Sequence, residues 1–288
     1  MVRLAVMGVG RVGGEVAYLA AVLGLADELV LYDSAPGLLK GQVLDMQHTG
    51  IDMAVSTNMN DVKDADICVF SAGLPRDPAV KTRADLLAAN LPVTQEIAGM
   101  LGDFAGILIT VTNPMDANNY FLHQITRIPR ERCIGFGGQL DSARFGLALK
   151  CRGIAGTPFV LGEHGEHQVP VFSRLAGTVD DAQRDEILAE LRGSSMEVIR
   201  GKGGTVFGPA FHISQLIRMI VDDRRELVSC SAVLGGEYGI SGCSLGIPAR
   251  IGRNGIHAIE EWKLDEWESA RMQEAGRFAS GLCTGTVL

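Results

Sequence analysis

The chain has 288 residues, of which 47% are apolar and 21% charged, with a formal net charge of −8. That balance belongs to a globular protein of one large or two moderate domains and excludes bulk disorder. An acidic chain without a run of lysine or arginine is a poor ligand for nucleic acid or an anionic membrane, so an anionic ligand has to be met by local basic groups.

In chain order, Leu4–Met7 is a short apolar run followed by glycines, and Val12–Leu23 has helical spacing. Glu28–Tyr32 reads as a strand closed by Asp33, and Gly37–His48 as a helix. Further apolar runs are Ile67–Ser71, closed by Ala72-Gly73, Ile107–Val111, closed by Thr112-Asn113-Pro114, and the weaker Ile134–Phe136. Short, fully apolar strands between helical patterns predict βαβ units and a parallel sheet covered on both faces. In such a sheet the ligand lies beyond the carboxyl ends of the strands, so Gly8–Gly13, Asp33, Gly73–Arg83 and Asn113 are the segments to inspect.

The second half differs in pattern. Residues 180–200 form a long helical pattern, with a break expected at Gly193 and Ser194, and Ala210–Val221 forms another helix. Val228–Ile251 is β-rich and interrupted by glycines, which suggests antiparallel strands, and Leu264–Leu282 closes the chain as a helix. The expected class is therefore α/β, a Rossmann-type doubly wound parallel sheet over residues 1–142 followed by an α+β substrate domain over 143–288. The six cysteines form no C-x-x-C pair and read as reduced core thiols. The N-terminus lacks a signal-peptide layout, and the most apolar early stretch, Val16–Ala26, is too short to span a bilayer, so the cytoplasm is the expected location.

Gly8-Val9-Gly10-Arg11-Val12-Gly13 matches G-x-G-x-x-G. Alone the pattern is weak, but here it follows a strand, opens a helix, and has Asp33 at the end of the next strand, twenty residues beyond Gly13. Gly8 makes the tight turn, Gly10 lets the backbone approach a pyrophosphate, and Gly13 allows close packing of helix on strand. Asp33 can accept hydrogen bonds from both ribose hydroxyls and would repel a 2′-phosphate, which favours NAD over NADP.

Four further segments stand out: Gly73-Leu74-Pro75-Arg76 with Thr82-Arg83, Val111-Thr112-Asn113-Pro114, Leu140-Asp141-Ser142-Ala143-Arg144, and Gly162-Glu163-His164-Gly165. Imidazole titrates near neutral pH, so His164 is the best candidate to exchange a proton with a reacting oxygen. With the glycine loop, and with Gly236-Glu237-Tyr238-Gly239 and Gly246-Ile247-Pro248, these segments resemble the lactate/malate dehydrogenase family over essentially the whole chain. The resemblance is to its lactate-dehydrogenase-like malate dehydrogenases.

That resemblance implies a small dicarboxylate substrate, an NAD cofactor and a homodimer or homotetramer. His164 is then the general acid and base, and Asp141 orients its ring and stabilises the imidazolium. The alternative for Asp141 is a helix N-cap. Arg144 is expected to pair with the substrate's C1 carboxylate, Arg83 to polarise the ketone oxygen, and Asn113 to hydrogen-bond the reacting oxygen and position the cofactor. Thr205 falls where the family lines the substrate pocket, with a helix N-cap as the competing reading. Arg11, Val12, Gly73, Asn90 and Val111 join the cofactor set.

Arg76 stands where the family pairs an arginine with a second carboxylate, giving malate and oxaloacetate, while glutamine there goes with lactate and pyruvate. Without that partner a desolvated arginine costs several kcal/mol, so a site closed around Arg76 rejects pyruvate. The chain departs from the family by carrying five residues, Asp77-Pro78-Ala79-Val80-Lys81, where four are usual, and by Glu166 where aspartate is common. His164 and His167 form an H-x-x-H pair without further suitably spaced ligands, so no metal is expected.

Overall fold

A computed structural model describes residues 1–74 and 82–285. The first half alternates strictly: β1 (Arg3–Met7), α1 (Arg11–Val22), β2 (Glu28–Tyr32), α2 (Pro36–His48), β3 (Ala54–Ser56), β4 (Ile67–Phe70), α3 (Arg83–Leu101), β5 (Ile107–Thr110), α4 (Met115–Thr126) and β6 (Cys133–Gly135). All six strands are parallel and lie in the order β3-β2-β1-β4-β5-β6. This is the doubly wound arrangement whose cleft opens beside β1, where the strand order reverses. β4 and β5 are buried along their whole length, which explains why they read as unbroken apolar runs.

The sheet continues into the second half by antiparallel pairing. The remaining elements are α5 (Gly138–Cys151), β7 (Val160–Gly162), β8 (Gln168–Pro170), α6 (Asp181–Lys202), α7 (Phe207–Val221), β9 (Glu226–Gly235), β10 (Ser241–Gly252), β11 (Gly255–Ile259) and α8 (Glu266–Thr284). β9 pairs with β6 and with β10, and β10 also pairs with β7 and β11. The mixed α/β fold with a parallel Rossmann-like sheet agrees with the sequence reading. The expected division at residue 142 falls inside α5.

One local expectation is overturned. α6 runs unbroken from Asp181 to Lys202, through Gly193 and Ser194. The Asp180 carboxylate caps its start by accepting from Gln183 N, and Ile187, Leu188 and Leu191 bury its inner face. Ser194 donates its hydroxyl to Leu191 O at 2.8 Å and stays helical. One glycine in a helix costs about 1 kcal/mol, which the buried face offsets.

Among the described residues no helix is long and apolar enough to cross a membrane. All six cysteines are free, and burial pushes the thiols of Cys68, Cys133, Cys230 and Cys283 up to about 12, so they stay protonated and unreactive.

Candidate active site

The glycine loop is built as its spacing requires. Gly8 lies at φ +93°, and a Cβ there would meet the Ala72 Cα in van der Waals overlap, so only glycine fits the turn. Gly13 sits at the start of α1 with Ser71 Oγ 2.5 Å from where a Cβ would be. A Cβ at Gly10 would meet nothing within 4 Å. The loop therefore leaves open space at the N-terminus of α1, beside free backbone N–H groups, which suits an anionic pyrophosphate.

Asp33, at the carboxyl end of β2, accepts hydrogen bonds from Val9 N (3.0 Å) and Ala35 N (2.9 Å). It braces the glycine loop and keeps lone pairs free for a ligand. Val12 is half-buried and packs against the core, while Arg11 is exposed and donates to Gly203 O at 2.7 Å, joining the glycine loop to the turn between α6 and α7. These features fit a dinucleotide at the switch point of the sheet.

The loops after β4 and β5 are tied together by Asn90. Its buried side chain accepts from Leu74 N (2.7 Å) and donates to Asn113 O (2.9 Å). Gly73 lies against Asn90 and Thr112, and half-buried Val111 leads from β5 to exposed Asn113. The Asn113–Pro114 peptide is cis. Arg76 and residues 77–81 of the expected substrate loop lie outside the described residues.

The polar centre is assembled from three helices and a loop. Thr82 caps α3 by a reciprocal capping box with Asp85, so Arg83 is the first residue of the helix. Its guanidinium donates to His164 O (2.9 Å) and Asn113 Oδ1 (3.4 Å), and its Nε lies 3.6 Å from Glu163 Oε1. α5 begins at Gly138, so Asp141 lies within its first turn and is not its N-cap. Asp141 accepts from His164 Nδ1 at 2.6 Å and from Arg144 Nη1 at 3.0 Å, with only 2% of its side chain exposed. A Cβ at Gly137 would lie 2.5 Å from His164 Cγ, so glycine there gives the ring its seat.

The electrostatics follow from this packing. Burial alone would push the Asp141 carboxyl up, but the His164 charge and hydrogen bond, with help from Arg144 and Gln168, hold it below the usual carboxylate range. Burial would likewise depress His164. Asp141 outweighs that by charge and hydrogen bond, and Arg83 opposes it only in part, so the imidazole is raised above the ordinary histidine value. His212 of α7 is lowered by burial and then by the Arg144 charge, which places a neutral ring near that guanidinium. Glu163 is buried, and its carboxyl is held low against that burial by His167, Arg83 and His164.

The structure thus brings together Arg83, Asn113, Asp141, Arg144 and His164, which are separated by up to 81 positions in the chain. Thr205 is half-buried two residues before α7, whose N-cap position is Val206, so the capping alternative does not hold. His167 stacks on Phe278 with ring centroids 4.3 Å apart and lies between Glu163 and Glu274. Among the described residues no group of three or more His, Cys, Asp or Glu could hold a metal.

Asp116 went unread in the sequence. It sits in the first turn of α4, 4% exposed, accepts from His164 N at 2.8 Å, and is itself hydrogen-bonded by Ser231 Oγ. An acidic residue just after Asn-Pro at a helix start resembles an ordinary surface carboxylate, and only the fold reveals its burial.

Known proteins share the sequence and fold of this chain. Residues 2–135 match the NAD-binding domain of lactate/malate dehydrogenases, and residues 139–278 match the family's α/β C-terminal domain. A malate dehydrogenase of Natronomonas pharaonis is 36% identical over 296 residues, covering 96% of each chain. The solved malate dehydrogenase of Archaeoglobus fulgidus in complex with NADH superposes with a TM-score of 0.89 at 31% identity, over 98% of this chain and 99% of that one. A minor L-lactate dehydrogenase of Enterococcus mundtii superposes at 0.90 with 25% identity, over 100% and 99%. Two family domains in order, spanning nearly all of the sequence, settle its kinship: the chain belongs to the lactate/malate dehydrogenase family.

Proposed function

We propose that the protein catalyses reversible hydride transfer between malate and oxaloacetate with NAD. The observation that carries this is the convergence of His164, its buried partner Asp141, and the guanidinium groups of Arg83 and Arg144 in one polar centre of a dinucleotide-binding fold. When bound, the nicotinamide supplies or accepts the hydride. Gly8, Gly10 and Gly13 shape the phosphate cradle with Arg11 and Val12, Asp33 holds the adenosine ribose, and Gly73, Val111 and Asn113 line the nicotinamide side. Asn90 acts by bracing the loops that carry those residues.

Protonated His164 delivers its proton from Nε2 to the carbonyl oxygen of oxaloacetate and retrieves it from malate. Asp141, on Nδ1, fixes the tautomer that leaves Nε2 free for this work. Arg83 aims positive charge at the oxygen where negative charge develops. Arg144 takes the C1 carboxylate, Thr205 lines the pocket, and Arg76 answers the second carboxylate. In this reading residues 1–142 hold the cofactor and 143–288 supply most of the substrate contacts. Six unpaired thiols suit a reducing compartment such as the cytoplasm.

The deciding assay follows NADH and NADPH oxidation with oxaloacetate and with pyruvate. Oxaloacetate with NADH is expected to give the highest kcat/KM. Arg76→Gln should shift the preference toward pyruvate by about 10²-fold or more, the scale set by leaving a charged group unpaired. Oxaloacetate turnover that survives the substitution intact would move specificity elsewhere.

A homo-oligomer is part of the same proposal. α2 buries none of its own residues, and α1, α2 and α7 leave Tyr18, Val22, Leu38, Leu44, Phe207 and Phe211 exposed. Such a surface suits contact with a second copy. Sedimentation equilibrium is expected to give the mass of two or four chains, and a single-chain mass would refute it.

A further inference from the structure

The β7–β8 hairpin brings two side chains to Asp141. Gly162 of β7 pairs with Gln168 of β8, and His164 lies in the turn between them. His164 Nδ1 donates to one Asp141 oxygen at 2.6 Å, and Arg144 Nη1 donates to the other at 3.0 Å. A third hydrogen bond comes from the Gln168 side chain, whose only donor is its amide nitrogen. Gln168 is 4% exposed, and all three residues of β8 are buried.

Packing alone does not account for an amide at this position. Gln168 Oε1 is buried without a hydrogen-bond partner among the described residues, which destabilises the fold. An apolar side chain of similar length would fill the space without that loss. Gln168 also lines a groove of about 580 Å³ between α6 and α8, walled by Leu188 and Arg192 on one side and Arg271 and Glu274 on the other. One residue therefore reaches both the groove and the buried carboxylate.

We propose that Gln168 is a positioning residue for the reaction: its amide N–H holds Asp141 in the orientation that meets His164 Nδ1 and closes the groove side of the pair to water. The other two donors to Asp141, His164 and Arg144, are groups that also serve the substrate. The Gln168 amide stands on a buried strand and is the fixed one of the three. The inference rests on His164 being the proton donor of the proposed reaction. His164 faces Asp141 and Arg144 of α5, Arg83 of α3, Asp116 of α4 and Glu163 of its own loop. An uncharged replacement of Gln168 leaves all of these in place, so a change in the His164 titration reports the amide.

Gln168→Met removes the donor and the unpartnered oxygen together and keeps the length of the side chain. In oxaloacetate reduction kcat should fall by about tenfold, the scale of losing a hydrogen bond to a charged group, with KM for NADH and oxaloacetate unchanged within about twofold. The urea midpoint should hold or rise, because a buried unpartnered carbonyl is gone. Without the amide the Asp141 charge falls more fully on the imidazole. The His164 midpoint, read by NMR in cofactor-free protein and assigned through its loss in His164→Asn, should therefore rise by about half a pH unit. Gln168→Glu is the rescue: beside ionised Asp141 the new carboxyl stays protonated at the acid end, and its O–H supplies the missing donor. Its kcat should approach that of the unsubstituted protein near about pH 6 and fall more steeply than that of Gln168→Met toward alkaline pH. A His164 midpoint or a kcat that stays in place in Gln168→Met overturns the proposal, and a kcat that falls only in step with the urea midpoint reduces Gln168 to a packing residue. Absence of turnover in the unsubstituted protein would instead strike the dehydrogenase reading, and the NMR titration would still decide whether Gln168 acts on the pair.

Discussion

His164→Asn lowers kcat for oxaloacetate reduction by about 10³–10⁴-fold, the range associated with losing a positioned acid and base, while NADH still binds. The amide has no proton to exchange near neutral pH. The protein tolerates the change because Asp141 keeps Arg144 at 3.0 Å, so no buried carboxylate is stranded. The glycine loop and Asp33 are untouched, since their contacts run to Ala72, Val9 and Ala35. Single-turnover absorbance at the nicotinamide band reads the chemical step, and NADH fluorescence titration reads binding. A kcat within tenfold of the original would remove His164 from the proton-transfer role. Loss of NADH binding with loss of turnover would show that the substitution disturbs the fold, and His164→Gln would then be the control.

The parallel half of the fold was legible because burial on both faces turns β4 and β5 into unbroken apolar runs, and turn chemistry marks where they stop. β3 at Ala54–Ser56 left no such trace: it is a three-residue edge strand, exposed or half-buried throughout. β7 and β8 are fully buried but equally short, and Gly162 and Gln168 interrupt any apolar run. Gly193 misled for a different reason. Propensity assigns a local cost, whereas the buried Ile187–Leu191 face that holds α6 together is a tertiary quantity. The site shows the same divide. His164, Asp141 and Arg83 stand in short motifs that chemistry can interrogate one by one. Asp116 finds its partner Ser231 at a separation of 115 residues, so nothing near it in the sequence announces a buried carboxylate.

Asp141→Asn should cost about as much activity as loss of the histidine itself, on the order of 10³–10⁴-fold in kcat, because the amide favours the wrong ring tautomer. Asp141 serves two cations at once, His164 at 2.6 Å and Arg144 at 3.0 Å, and an amide carbonyl cannot replace that charge for both. The pH dependence changes as well, and its sign follows from the two shifts. His164 is raised above its ordinary value, so the stability it lends is complete below about pH 6.5 and is lost as pH rises through its folded value. Asp141 is lowered, so its contribution is present above about pH 4 and is lost as pH falls through its folded value. Together they favour the folded state most between those limits. Urea unfolding of the unsubstituted protein should therefore show stability falling as pH rises above about 6.5, a fall that Asp141→Asn largely removes. With Asp141 neutral, burial and Arg83 push the imidazole down, opposed by the weaker charges of Asp116 and Glu163, so the alkaline limb of oxaloacetate reduction moves to lower pH. An alkaline limb that stays in place after the substitution would mean that some other group carries the proton.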